Sequence, residues 1–343
     1  VRRILALLAM TLPIAAAAEA QNRPDLLVVA NKQAASATVL DAASGRTLAT
    51  IPVGDGPHEV AVSSDGRWAV VTNYGNQRAG SSLSVIDLDR MAVTRTIDLA
   101  PHRRPHGAVF LPGDRQVAVT SETSRAVLLV GLAAGTVDRV LPTGEQGSHM
   151  LVVSPDGKRI YTANVFSGTV TALDASGAAP ARTVPVAAQT EGIALSPDGR
   201  RIWVGSNQAN TITVLDAATL APIDTLPSPG LPYRLAVTPD GSRVVVPNPM
   251  LNAVRIFDAR SMRETALVQL PPREGARAPA PGEDGGAGPV GIVLSPDGRT
   301  AYVALQGRDQ VGVLDVATGR VKGYYDTGAG PDGIAYAARR RRR

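Results

Sequence analysis

One short turn recurs along this chain and sets most of what it can fold into. Ser154-Pro155-Asp156-Gly157 returns as Ser196-Pro197-Asp198-Gly199, as Thr238-Pro239-Asp240-Gly241 and as Ser295-Pro296-Asp297-Gly298. A weaker copy is Ser63-Ser64-Asp65-Gly66, and another has its order swapped, Pro112-Gly113-Asp114. Pro presets φ, Asp hydrogen-bonds its own turn, and Gly accepts positive φ. A run of β-forming residues follows each turn, such as Ile160 to Ala163 or Ile202 to Gly205. An alternating run then ends at Asp41, Asp87, Asp174, Asp216, Asp258 or Asp315, and a fourth run follows, for example Thr47 to Val53. Short alternating runs between turn signals predict strands.

The spacing predicts how the strands assemble. The residues that open the strand before each turn are Pro57, Pro105, Ser148, Thr190, Pro232 and Pro289, with Pro331 as a last anchor that has no turn after it. They recur about every 42 residues, with longer intervals after Pro57 and Pro232. Four strands per repeat and seven anchors predict an all-β, seven-bladed β-propeller with four-stranded blades. The two ends are complementary. Residues 25–53 supply strands two, three and four of a blade, and Pro331 to Ala337 supplies only a first strand. Pairing them closes the ring and leaves no inner edge open. An open solenoid would leave the C-terminal strand unexplained.

The repeat resembles the YVTN-type seven-bladed β-propeller. The residues that carry the resemblance are Gly192-Ile193 to Asp216, Gly291-Ile292 to Asp315 and Tyr161 to Asn164. It covers residues 25–337 and implies the fold. Function has to be sought in the site, because propellers host many unrelated activities.

The column after the anchors is where the repeat stops repeating. It reads His58, His106, His149, Glu191, Tyr233, Val290 and Asp332 around the ring. Three of the chain's four histidines fall in this column, in consecutive blades. First strands of propeller blades line the central channel, so these residues are expected at its mouth. Residues ending the second strands, among them Asn73-Tyr74 and Ser121-Glu122, return to the same face. The ligand-binding set is therefore His58, His106, His149 and Glu191, with Tyr74 and Glu122 beside it. Neutral imidazoles with carboxylates suit a divalent transition metal, with His58, His106 and His149 as its ligands, or a general acid–base cluster. Two longer connections, after Asn73 and between Asp258 and Pro289, emerge on this face; the second includes a Gly/Pro/Ala-rich segment at 272–288. Loops of this kind carry function on rigid scaffolds.

Pro57-His58 followed by Asn73-Tyr74-Gly75 resembles the lactonase-type propellers, and Pro105-His106-Gly107 resembles the streptogramin-lyase propellers. Neither pattern continues into the later blades, and no lactonase Gly-Pro-Arg-His segment occurs. Two readings follow: a binding or scaffold propeller for a small-molecule ligand or a periplasmic protein, or a lactonase-like hydrolase or lyase using the same His/Glu cluster. No particular catalytic residue is indicated. The turn aspartates and the aspartates ending third strands are read as structural. His102, beside Arg103 and Arg104, is read as surface.

The two ends and the overall charge exclude other classes. Arg2 and Arg3, the apolar run from Ile4 to Ala18 and Ala18-Glu19-Ala20 form an export signal, with cleavage expected before Gln21. The expected organisation is a signal peptide at 1–20, the propeller at 21–338 and a disordered arginine tail at 339–343. A periplasmic or secreted, monomeric protein without a transmembrane segment follows from that reading. The five terminal arginines match the whole formal surplus of +5. A near-neutral body with 3% aromatic residues excludes a nucleic-acid partner. With no cysteine, disulfides and thiolate metal sites are excluded as well.

Overall fold

A computed structural model describes residues 23–271 and 286–339. They form seven four-stranded antiparallel sheets arranged in a ring. In chain order the blades are 57–98 (the first), 105–142, 148–185, 190–227, 236–269, 289–326, and a seventh made of 331–337 with 26–52. The expected closure is present: Pro331–Ala337 pairs with Leu26–Asn31, which continues through Ser36–Asp41 to Thr47–Pro52. The proposed leader, 1–20, lies outside the described residues.

Burial explains the order of strands within each blade. Second and third strands, such as Leu26–Asn31 and Ala126–Gly131, are buried along their whole length and read as continuous apolar runs. Outer strands, such as Ala92–Asp98, are exposed at most positions and carry charged and hydroxyl residues. Apolar layers between neighbouring blades form the core. Val28, Val39 and Ile51 pack on Ala69, Val71 and Ile86, which binds the seventh blade to the first. Two second-strand tyrosines latch one blade to the next, Tyr161 donating to the Ala217 carbonyl and Tyr302 to that of Ala42.

The inner strands share one irregularity that positions the site. In every blade but the fifth, the pairing between first and second strand slips by one residue directly after the anchor. In the first blade Pro57 pairs with Asn73 and Val60 with Val71, so one extra residue is held in between. Such a bulge re-aims side chains out of the alternating pattern. In the first blade the two residues after the anchor, His58 and Glu59, are thereby both turned toward the channel, whereas Met150 of the third blade pairs with Ala163 and packs between blades. Close packing there demands glycine. A Cβ on Gly333 would lie 2.3 Å from the His58 carbonyl oxygen, and one on Gly291 would lie 2.0 Å from that of Asp332.

The fifth blade departs from the expected pattern. Its first strand was expected to open at Pro232 but contains only Ala236–Val237. Leu231 takes a positive φ of 64°, and Arg234 stands where four other blades have glycine. The strand pairs regularly only after that side chain has been turned into the channel. The C-terminal boundary also differs. Arg339, assigned to the tail from sequence, is fixed: its backbone N–H donates to Asp25 and its guanidinium binds the Leu88 carbonyl and Asp89. Arg340 to Arg343 and most of the 272–288 insertion lie outside the described residues.

Candidate functional site

The side chains in the column after the anchors meet at one end of the channel, and the bulges bring in their neighbours. The backbones of His106 and His149 are fixed before their rings are placed. Thr72 accepts a hydrogen bond from the Glu59 N–H at 2.9 Å and donates to the His106 carbonyl at 2.9 Å. Thr120 repeats the device one blade on, accepting from Gly107 and donating to the His149 carbonyl. The first three inner strands are thus tied to one another beneath the rings.

The three imidazoles form a stack. Ring centroids are 4.0 Å apart between His58 and His106 and 3.5 Å apart between His106 and His149. Tyr74 leans edge-on to the first two at 5.2 and 5.5 Å, and the Arg104 guanidinium covers its other side at 4.6 Å. Tyr74 sits in the long connection after Asn73, so that insertion supplies a wall of the site.

A circuit of charge surrounds the stack. His149 is clamped, with Nδ1 2.6 Å from Glu122 and Nε2 2.7 Å from Glu191. Tyr74 donates to the other oxygen of Glu122 at 2.7 Å. Arg234 donates to Glu191 at 2.7 Å and, through Nε and Nη2, to Glu59 at 3.1 and 2.8 Å. Glu59 belongs to the first blade and Arg234 to the fifth, so this pair spans the channel. Lys32 lies 2.9 Å from His58 Nε2 and 3.6 Å from Asp332, whose carboxylate is 3.5 Å from His58 Nδ1. Every blade except the sixth contributes; there the column holds Val290.

Burial and charge set the protonation. Burial pushes the basicity of His149 down, but the Glu191 charge and the bonds to Glu122 and Glu191 override it and raise its pKa to about 9. Glu191 is held at about 2 because His149 and Arg234 outweigh its own burial. Burial, reinforced by the neighbouring positive charges, lowers both His58 and His106 well below the usual histidine range. Burial lifts Asp332 to about 6 against the pull of Lys32. A neutral pH therefore gives one imidazolium and two neutral imidazoles in contact.

One member of the stack is chemically idle. His106 is fully buried, and neither of its ring nitrogens has a hydrogen-bond partner among the described residues. Nδ1 of His58 is orphaned in the same way. Buried polar atoms of this kind call for an explanation.

The structure thus brings together all six residues singled out from sequence: His58, His106, His149, Glu191, Tyr74 and Glu122. It separates His102, which is half-buried and bonded to Ser124. Four partners were missed: Glu59, Arg234, Lys32 and Asp332. A signal for three of them was present, since Asp332 stands in the same column as the histidines. Glu59 and Arg234 occupy the second position after the anchor, where Gly107, Gly192, Gly291 and Gly333 stand in other blades.

The family described as the cytochrome D1 heme domain matches residues 112–338, more than half of the chain. This chain belongs to that family. The seven-bladed reading agrees with a curated relative, the seven-bladed beta-propeller protein Rv1057 of Mycobacterium tuberculosis, which is 32% identical over 158 residues. That match covers 44% of this chain and 37% of the relative. The chain thus spans little more than a third of the relative it matches. Among solved structures, the hydrazine synthase of Kuenenia stuttgartiensis superimposes with a TM-score of 0.72 at 22% identity, over 85% of this chain and 92% of that one. A functionally unknown protein from Desulfotomaculum acetoxidans gives 0.73 at 17% identity, over 91% and 99%. At those identities the likeness is one of fold. Among the described residues no helix is long and apolar enough to cross a membrane.

Proposed function

We propose that this chain is an exported, periplasmic binding propeller that holds a small polar ligand or a metal ion in the His/Glu cluster at its channel mouth. The observation that carries the reading is His106, an imidazole with both nitrogens buried and unbonded at the centre of a charged circuit. The surrounding ion pairs fix the cluster's geometry in advance, which lowers the cost of binding.

The family description names a heme. A heme needs a slot wide enough to admit the macrocycle, with an axial ligand such as an imidazole nitrogen facing into it. The only imidazoles of the cluster with unbonded nitrogens are His106 and His58, both buried, with His106 in ring contact on two sides. Cavities of about 580 and 620 Å³ exist, but they are lined by residues such as Lys158 and Arg182, or Trp68 and Arg95, away from the histidines. The described residues do not fit a heme, and the site they form is better matched to an ion or a small polar molecule.

A thermal-shift series tests the reading. Zn²⁺, Cu²⁺, small dicarboxylates and sugar lactones are added to the wild type and to His106→Gln. At least one class is expected to raise the melting temperature of the wild type and not of the variant. No shift from any class removes the reading. Turnover of a lactone that is lost in His106→Gln would establish the hydrolase reading instead. Export is checked separately by the intact mass of the envelope form, expected to begin at Gln21; retention of residues 1–20 defeats it.

A further inference from the structure

The binding reading places something small at the channel mouth, and the donor atoms narrow its chemistry. Among the described residues, two sets of three groups each bring one donor atom per residue within 4.8 Å of one another: His58, Glu59 and His106, and His106, Glu122 and His149. The second set is spent internally. Both nitrogens of His149 already face carboxylates, at 2.6 and 2.7 Å. The first set is not. His58 Nδ1 and both nitrogens of His106 are buried without a hydrogen bond, the Asp332 carboxylate standing 3.5 Å from His58 Nδ1, and both bonds from Arg234 to Glu59 end on the same oxygen, Oε1.

Resting on the binding reading above, we propose that the occupant is a single divalent transition-metal ion held by the imidazoles of His58 and His106 and the carboxylate of Glu59. Two imidazoles and one carboxylate suit Zn²⁺, Cu²⁺, Ni²⁺ or Fe²⁺ and disfavour Ca²⁺ and Mg²⁺, which take oxygen ligands. Three protein ligands leave a position for water or for a ligand entering from the mouth. The outer contacts needed to aim the ligands are already made, Arg234 on Glu59 and Thr72 on the backbone of both Glu59 and His106. His149 lies outside the ligand set and stacks against it.

Lys32 has a defined part in this arrangement. Its ammonium donates to His58 Nε2, which leaves the ring proton of a neutral His58 on Nδ1. Metal at Nδ1 requires that proton on Nε2 instead, so no proton is lost but the Lys32 contact is. Asp332, 3.6 Å from Lys32, remains to hold the displaced ammonium. Lys32 is therefore a competitor built into the site, and removing it strengthens binding.

The test uses the whole mature chain, stripped with a chelator and titrated with Zn²⁺ and Co²⁺. One ion per chain is expected. Glu59→Gln and His106→Gln should each weaken Zn²⁺ at least about 100-fold, beyond the usual cost of losing an outer contact. Glu122→Gln should change it by no more than about threefold, and Lys32→Met should tighten it about tenfold. Loss of binding in Glu122→Gln with retention in Glu59→Gln overturns the assignment in favour of the other set. Weaker binding in Lys32→Met overturns the competition. Because Glu59→Gln breaks a buried pair, an independent reading comes from the wild type. Pulsed EPR of the Cu²⁺ form should count two imidazoles, and three or none overturns the ligand set. Failure of every metal to bind, with carboxylates or lactones still shifting stability, defeats the metal and leaves the binding reading standing. Failure of all of them defeats both.

Discussion

The two ends of the channel carry carboxylates in repeated columns, yet they are built on opposite logic. At the turn end the same residue recurs: Asp156, Asp198, Asp240 and Asp297. Each is exposed, and each accepts from the Ser or Thr two positions earlier and from the N–H two positions later. Every one of these bonds stays inside its own turn. At the mouth the residue changes from blade to blade, the three histidines, Glu191, Arg234 and Asp332 are buried, and most of their partners come from other blades. Glu191 of the fourth blade binds His149 of the third and Arg234 of the fifth. In a repeat protein, identity along a column marks what each unit needs alone. Departure from identity marks what the units build jointly.

The sharpest way to break this contrast is to open the ring. Deleting residues 330–343 removes the inner strand of the seventh blade and Asp332 with it. Leu26–Asn31 would then expose an unpaired edge, and the inner strands beside it would lose a neighbour. The truncated chain is expected to lose its cooperative unfolding transition by circular dichroism. The turns at Asp156, Asp198, Asp240 and Asp297 close on their own residues, so local β-structure should persist after the mouth has dispersed. A melting temperature equal to that of the full chain would refute closure as the element that holds the mouth together.

The next largest effect separates the two ends without opening the ring. Arg234→Met leaves Glu59 and Glu191 buried and short of their cation. Breaking a buried pair from one side costs about 3–5 kcal/mol. Urea unfolding should show a loss of that size, and a second change, Glu59→Gln in the Arg234→Met background, should recover part of it. A loss below about 1 kcal/mol would mean that the pair spanning the channel is solvated like a surface ion pair.

Those two results bear on how far the sequence could be read. Blade number, strand order and ring closure follow from turn chemistry and spacing, because each is a local property repeated many times. The histidine column was legible for the opposite reason, as a break in the repetition. Glu59 and Arg234 showed only as departures from a glycine column, since a bulge in the first blade and the irregular backbone before Ala236 in the fifth, not strand alternation, aim them into the channel. Alternation alone would send one of each pair into the sheet packing. Lys32 was hidden further, in a turn between strands of the closing blade, where only the ring geometry brings it to His58. Missing the shortened strand of the fifth blade has the same origin: Pro232 kept the column, while Arg234 changed what the backbone after it could do.

Acidity sharpens the comparison at the level of single protons. In the metal-free protein His149 is raised to about 9, so its stabilising charge is fully present below 6.5 and is lost as pH rises toward 9. His58 and His106 are lowered, so the unfolded chain takes up their protons first and stability falls as pH drops below 6.5. Asp332, raised to about 6, works against that acid limb, as one carboxyl against two imidazoles. Glu191, held near 2, adds a further loss between about 4.5 and 2. The urea midpoint should therefore peak near pH 6.5. His149→Gln should flatten the alkaline side and leave the acid side sloping. A midpoint constant from pH 6.5 to 9 in the wild type would show that His149 is not the clamped imidazolium described above.

The smallest effect is expected at the opposite end. Asp198 is exposed, and its carboxylate accepts from Ser196 Oγ at 2.5 Å and from the Arg200 N–H at 3.0 Å. These bonds, that from Ser196 first, hold its pKa below the ordinary aspartate value, but solvent competes for each of them. Asp198→Asn keeps an acceptor oxygen and the turn-forming habit while removing the charge. The change in stability should stay below about 1 kcal/mol. Metal or ligand uptake at the mouth should not move at all, because no contact runs from this turn to the histidine stack. The same substitution at Asp156, Asp240 or Asp297 should behave alike, since each of those turns satisfies its own aspartate; Asp114, which accepts from Ser64 of the neighbouring blade, is the exception. An Asp198→Asn protein that lost ligand uptake would show that the two ends of the channel are coupled through the inner strand between them, and the contrast between self-contained turns and a jointly built mouth would have to be given up.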